Sequence, residues 1–149
     1  MFKYKIIVAL LTFSLLGIFP QSIVSEELEI SQQPIAKQID HFAILYGVDG
    51  SLVKKIIDCE SQGNIEALGD GSRAYGLLQY HKSSFERHAK LFGEKLDYYS
   101  SYDQIKLGTW AISKGFGNEW TAYRAIKNGG TYSFYSKLLK KSFVVYCKL

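Results

Sequence analysis

The sequence predicts a mostly α-helical single domain with one short turn-rich, β-like segment near residues 65–80. Three observations carry this. Apolar residues recur at three- and four-residue spacing in several separate stretches. Gly, Asn, Asp and Ser cluster between those stretches. Only Gly69-Asp70-Gly71-Ser72 and the apolar, aromatic run Tyr75–Tyr80 behind it lack the helical period. With 149 residues, 47% hydrophobic and 21% charged, the chain has globular composition and is long enough for one domain.

The N-terminus reads as a targeting segment. Lys3 and Lys5 precede Ile6–Phe19, in which only Thr12 and Ser14 are polar, and no charge follows until Glu26. Fourteen residues fall short of the roughly 20 that span a bilayer. The pattern is that of a signal peptide over residues 1–25, with Ser22 and Ser25 as small residues for the cut and an uncleaved anchor as the alternative. Residues 26–149 are then the exported domain.

The helices follow in order. Pro34 opens a stretch with Ile35, Ile39, Phe42, Ala43 and Tyr46 on one face, ended by Gly47. Ser51 is the expected cap of a second helix, with Leu52, Val53, Ile56 and Ile57 inward and Lys54, Lys55, Asp58 and Ser61 outward. Gly63 and Asn64 stop it. Tyr75–Tyr80 is a short strand or extended run. Ser83-Ser84-Phe85-Glu86 reads as a capping box. Ser100 or Ser101 caps the helix of Ile105, Leu107 and Trp110, and Asn118 caps one with Trp120, Tyr123 and Ile126, terminated by Asn128-Gly129-Gly130. A last helix is expected to carry Tyr135, Leu138 and Leu139 towards Cys147.

Charge excludes one class of partner. Eighteen basic and fourteen acidic side chains give a net charge of +4, and the basic ones are scattered, so no Lys/Arg block follows a phosphate backbone and no nucleic-acid partner is expected. Removing residues 1–25 takes Lys3 and Lys5 with it and leaves +2. Export changes the reading of the two cysteines. Cys59 and Cys147 enter a compartment that permits a disulfide between them, the alternative being two buried free thiols.

One residue breaks the amphipathic pattern. Continuing the inner face of the second helix by three and four residues reaches Glu60, in its last turn. Burial disfavours the charged carboxylate and raises its pKa. A Glu in that position is paired with a lysine, caps a neighbouring turn, or acts as an acid at the rim of a cleft, dry enough to hold its proton and open enough to meet substrate.

The stretch Ile56-Ile57-Asp58-Cys59-Glu60-Ser61-Gln62-Gly63-Asn64 resembles the motif around the catalytic Glu of soluble lytic transglycosylases and goose-type lysozymes. Those proteins follow it with Gly-Leu-Met-Gln, matched here by Gly76-Leu77-Leu78-Gln79, and with Ala-Tyr-Asn-Ala-Gly, matched most nearly by Ala125-Ile126-Lys127-Asn128-Gly129-Gly130. Lys127 takes the place of the last motif's Tyr, and Tyr123, one turn earlier, is a ring on the same side. The resemblance spans residues 48–130. It implies a lysozyme-like fold and cleavage of peptidoglycan glycan strands at the β-1,4 bond between N-acetylmuramic acid and N-acetylglucosamine, with Glu60 catalytic. It also implies that Gln79, Asn128, Ser61, Tyr75 and Tyr123 contact the sugars, each having a plain structural alternative in turn, cap or core.

Ordinary glycosidases flank the bond with two carboxylates. The family resembled here manages with one acid, which leaves 1,6-anhydromuramic ends, and neither cofactor nor metal is expected. Asp70 and Glu66 are the candidates for a second carboxylate, which would permit hydrolysis by water. Small members of that family often open the wall for envelope-spanning secretion or conjugation machinery, and a monomer is expected. The rival readings are a lysozyme-type hydrolase, a non-catalytic glycan-binding module, a Cys–His hydrolase using Cys59 with His41, His81 or His88, and a metal site on those histidines. Cys59 sits at a helix C-terminus behind an acid, which disfavours a thiolate, and no HExxH-like spacing occurs.

Overall fold

The computed structural model describes residues 21–136 and 140–147. The chain forms two compact units, the first ending at Gln33 and the second running from Pro34 to Leu149. The first contains α1 (Gln21–Ser31). The expected signal segment Ile6–Phe19 lies outside the described residues, and Ser22 and Ser25 fall on α1. No helix among the described residues is long and apolar enough to cross a membrane.

The second unit is mostly helical, with a small antiparallel sheet where the turn-rich segment was expected. Its helices are α2 (Ile35–Tyr46), α3 (Gly50–Glu60), α4 (Lys82–Phe92), α5 (Ser101–Ser113) and α6 (Thr121–Lys127), with a 3₁₀ turn at Phe116–Glu119. Strands β1 (Leu68–Gly69), β2 (Ala74–Tyr75) and β3 (Tyr80–His81) pair in that order, with Leu68 opposite Tyr75 and Tyr75 opposite Tyr80. Helix α2 packs on α3 and α5, and α3 packs on α6. Phe42, Val53, Ile56, Leu77, Leu78, Phe85, Ile105, Leu107 and Ala125 are buried together between these elements.

Several boundaries differ from the sequence reading, each for a local reason. Helix α3 is capped by Asp49, whose carboxylate accepts from the Ser51 N–H at 2.9 Å, because the cap must lie outside the first helical residue and α3 already starts at Gly50. Helix α4 starts before the expected capping box, at Lys82 behind His81, since β3 delivers the chain directly into it. The Ser100 hydroxyl caps α5 through the Asp103 N–H, as expected. Asn118 sits inside the 3₁₀ turn and caps nothing, and the residue before α6 is Trp120, which makes no side-chain cap bond.

The largest correction is at the C-terminus. In place of a helix, β4 (Thr131–Ser136) and β5 (Lys141–Tyr146) form an antiparallel hairpin, with Thr131 opposite Tyr146 and Ser136 opposite Lys141. Thr131-Tyr132-Ser133-Phe134 alternates polar and aromatic, and Phe143-Val144-Val145-Tyr146 is β-branched and aromatic, both favouring strand. The helical spacing of Tyr135, Leu138 and Leu139 was a chance match; Leu138 and Leu139 lie outside the described residues. The hairpin brings Cys147 to α3, where the expected disulfide Cys59–Cys147 closes across 88 residues.

Candidate functional site

Glu60 is the last residue of α3 because the chain cannot continue the helix. Gln62 and Gly63 both take left-handed backbone, with φ of 55° and 78°. Four residues after Ile56 and three after Ile57, both buried, Glu60 ends the inward stripe, while Asp58 stays exposed. Its Oε1 accepts a hydrogen bond of 3.2 Å from the N–H of Ala122, in the first turn of α6. The first N–H groups of a helix lack partners within it, and here a carboxylate from another helix serves one of them. Burial raises the Glu60 pKa above the usual glutamate value, against the Ala122 N–H and the positive charge of Arg124, which favour the ionised form.

The loop Gly76–Gln79 is held from below by Gln104, which is fully buried in α5. Its carboxamide donates to the carbonyls of Tyr98 (2.8 Å) and Tyr75 (3.3 Å), and its Oε1 accepts from the Leu78 N–H at 3.4 Å. Gly76 has φ of 79°, and a Cβ there would meet the Gln104 amide at 2.4 Å. The turn therefore needs glycine both for its backbone and for space. Trp120 ties this loop to the start of α6 by donating from Nε1 to the Leu78 carbonyl at 2.8 Å.

A cleft opens beside this junction, lined by Gln79, Tyr80, His81, Ser84, Glu119 and Trp120. Glu119 is held there by Arg87 at 2.5 Å and approaches the fully buried His88 at 3.4 Å. The other ring nitrogen of His88 faces the Tyr80 hydroxyl at 3.3 Å. Burial pushes the His88 imidazole below its ordinary pKa, with Glu119 pulling the other way.

The expected site residues divide. Gln79 lines the cleft, but its amide nitrogen is committed to the carbonyls of Gly76 and Ala67 at 2.9 and 3.1 Å. Ser61 is the C-cap of α3, and its hydroxyl donates back to the Ile57 carbonyl at 3.2 Å. Tyr75 packs against Tyr98 and Tyr99, with ring centroids 5.7 and 5.1 Å away. Tyr123 lies over Gly117, where any Cβ would strike its ring, and Lys127 sits over that ring at 5.8 Å. Asn128 is the exposed C-cap of α6. Asp70 is exposed and bound to Arg73 (2.8 Å) and His81 (3.2 Å), and Glu66 is also exposed.

Gln104, Trp120, Glu119 and Arg124 were not legible as site residues. They have no motif of their own, and only Trp120, which helical spacing groups with Tyr123 and Ile126, carried a signal in the sequence. Cys59 is bonded to Cys147, which removes the Cys–His hydrolase reading. Among the described residues no group of three or more His, Cys, Asp or Glu is arranged to hold a metal ion.

Glu60 is thus a part-buried acid at a helix end, bonded to the start of α6, while the cleft lined by Glu119 and Trp120 opens beside the residues that precede that helix, and Glu60 is not among the cleft's lining residues. The family model described as the Transglycosylase SLT domain matches residues 39–133, more than half of the chain. The chain thus belongs to the SLT family of lytic transglycosylases, which act on the glycosidic bonds of peptidoglycan. No curated protein and no solved structure matches it significantly.

Proposed function

We propose that Glu60 is the general acid and then the base in cleavage of the β-1,4 bond between N-acetylmuramic acid and N-acetylglucosamine, leaving 1,6-anhydromuramic ends. The observation that carries this is the burial of the Glu60 carboxyl, which raises its pKa and favours the protonated form an acid needs. Protonated Glu60 gives its proton to the glycosidic oxygen as the bond to the anomeric carbon breaks. The substrate's acetamido group supports that carbon. The resulting carboxylate takes the proton of the muramic acid 6-hydroxyl as its oxygen bonds to the anomeric carbon. The proton lost in the first step is regained in the second, and no water is consumed. The Ala122 N–H and Arg124 stabilise the ionised Glu60 between the two steps.

Gln79, Tyr75, Tyr123, Asn128 and Ser61 are the residues of this reading that bind sugar, the tyrosines by stacking. The disulfide supports export into an oxidising envelope or extracellular space. Within that setting the protein acts as a monomer that opens the wall for a secretion or conjugation machine.

A hydrolase is the second reading, and Glu119 is the observation that favours it. This carboxylate lines the cleft, whereas Asp70 and Glu66 do not. Mass spectrometry of products from purified peptidoglycan tests the choice. Anhydromuramic ends are expected; reducing ends would assign hydrolysis, and no products would assign a binding module.

A further inference from the structure

We propose that the Cys59–Cys147 bridge holds Glu60 against Ala122, making Cys147 a positioning residue for proton transfer. This rests on Glu60 being the acid. The bridge and the acid are adjacent on α3, and both reach the same short helix. Glu60 bonds the Ala122 N–H at 3.2 Å. One residue earlier, Cys59 is joined to Cys147, whose sulfur lies 3.9 Å from the Ala122 carbonyl. A disulfide sulfur carries no proton, so that approach is a packing contact.

Cys147 also grips the far end of α6. Its N–H donates to the Gly130 carbonyl at 2.8 Å, and the Gly130 N–H donates to the Ala125 carbonyl at 2.8 Å, closing the helix C-terminus. Cys147 is 6% exposed, so these contacts sit inside the fold. One residue thus touches both ends of α6 and is covalently fixed to the last turn of α3. Helix α6 is 7 residues long and has no side-chain cap from its preceding residue. A helix so short depends on its tertiary contacts for its position.

Without the bridge, the end of α3 and the start of α6 remain joined, among the described residues, by the Glu60 hydrogen bond and by noncovalent packing. The acid then loses its fixed distance to the N–H that orients it. A misplacement of about 1 Å in a catalytic group costs up to about 10²-fold in rate. The charged group acting on Glu60 across this junction is Arg124 of α6, while Asp58, its neighbour on α3, is exposed.

The test compares the oxidised protein with a Cys59→Ser/Cys147→Ser double variant on soluble, peptide-free glycan strands. Melting and near-ultraviolet circular dichroism serve as folding controls. The variant is expected to fold, keep KM within about twofold and lose at least about 10-fold in kcat. The alkaline limb of its kcat profile is expected to move to higher pH, because the N–H that favours the ionised acid is withdrawn while burial remains. Unchanged kcat overturns the proposal, as does a lower kcat with the limb unmoved or moved to lower pH. A parallel collapse of KM and kcat also overturns it. If the serine pair does not fold, a Cys59→Ala/Cys147→Ala variant and the reduced wild-type protein take its place. Absence of native signal in all three assigns the bridge a purely structural role and overturns the proposal. Glu60→Gln with the bridge intact separates the two failures. Normal cleavage by that variant removes Glu60 as the acid, whereas its inactivity beside a fully active double variant removes only the positioning role.

Discussion

The Glu60 carboxylate accepts a hydrogen bond from the main-chain N–H of Ala122, 62 residues further along the chain. The structural role that the sequence left open for Glu60, capping a neighbouring element, is therefore met by the same carboxylate that we propose as the acid. The contact favours the ionised acid and burial favours the protonated one, with burial the larger effect.

Replacing this acid separates chemistry from architecture. In Glu60→Gln the amide oxygen can still accept from Ala122, so the protein is expected to fold with a melting temperature equal to or slightly above that of the wild type. Glycan cleavage is expected to fall by at least about 10²-fold, the contribution of a positioned general acid. Melting and turnover measured on one preparation decide the matter. A folded variant that cleaves at a near-normal rate would remove Glu60 from the mechanism.

The raised pKa has a sign that can be read in two ways. In the proposed mechanism turnover requires protonated Glu60, so it is expected to fall as pH rises through the folded-state pKa. Stability follows the same direction. A carboxyl whose folded pKa lies above its unfolded value contributes stability that is present below the unfolded pKa and lost as pH rises through the folded one. Glu60→Gln should therefore abolish this part of the pH dependence of the melting temperature, and equal pH slopes in the two proteins would contradict it.

Glu119 tests whether one acid is enough. Its ion pair with Arg87 is open to solvent on both sides and its approach to His88 is long at 3.4 Å, so Glu119→Gln is expected to cost no more than about 1 kcal/mol of stability. With a single-acid mechanism, cleavage should stay within about tenfold of wild type, well short of the loss of a general acid, and the products should keep their anhydro ends. A loss as large as that of Glu60→Gln would make Glu119 the second carboxylate of a hydrolase.

Gly76 tests the scaffold beneath the cleft. Gly76→Ala places a methyl group in left-handed backbone and against the buried Gln104 amide, which three hydrogen bonds hold in place. A loss of at least about 2 kcal/mol is expected from strain and displacement. Urea denaturation measures it, and a loss under about 0.5 kcal/mol, the range of ordinary surface substitutions, would show that the loop yields freely.

The sequence by itself determined the helices between Pro34 and Lys127, the position of the small sheet and the inward placement of Glu60, and it favoured the pairing of the two cysteines over two free thiols. These follow from local periodicity, from turn residues and from there being only two thiols, all of which are written in neighbouring positions. At the C-terminus it points to a helix where the hairpin stands, because Tyr135, Leu138 and Leu139 fit the helical spacing while Thr131–Phe134 carries the competing period-two alternation. Tertiary structure alone decided what surrounds the acid. That Ala122 rather than a lysine meets Glu60, that Gln104 carries the Gly76–Gln79 loop, and that Glu119 rather than Asp70 lines the cleft depends on where α3, α5 and α6 cross. Those crossings are set by the packing of Ile56, Leu77, Ile105 and Ala125 in one core, and such long-range contacts leave no periodic trace in the chain.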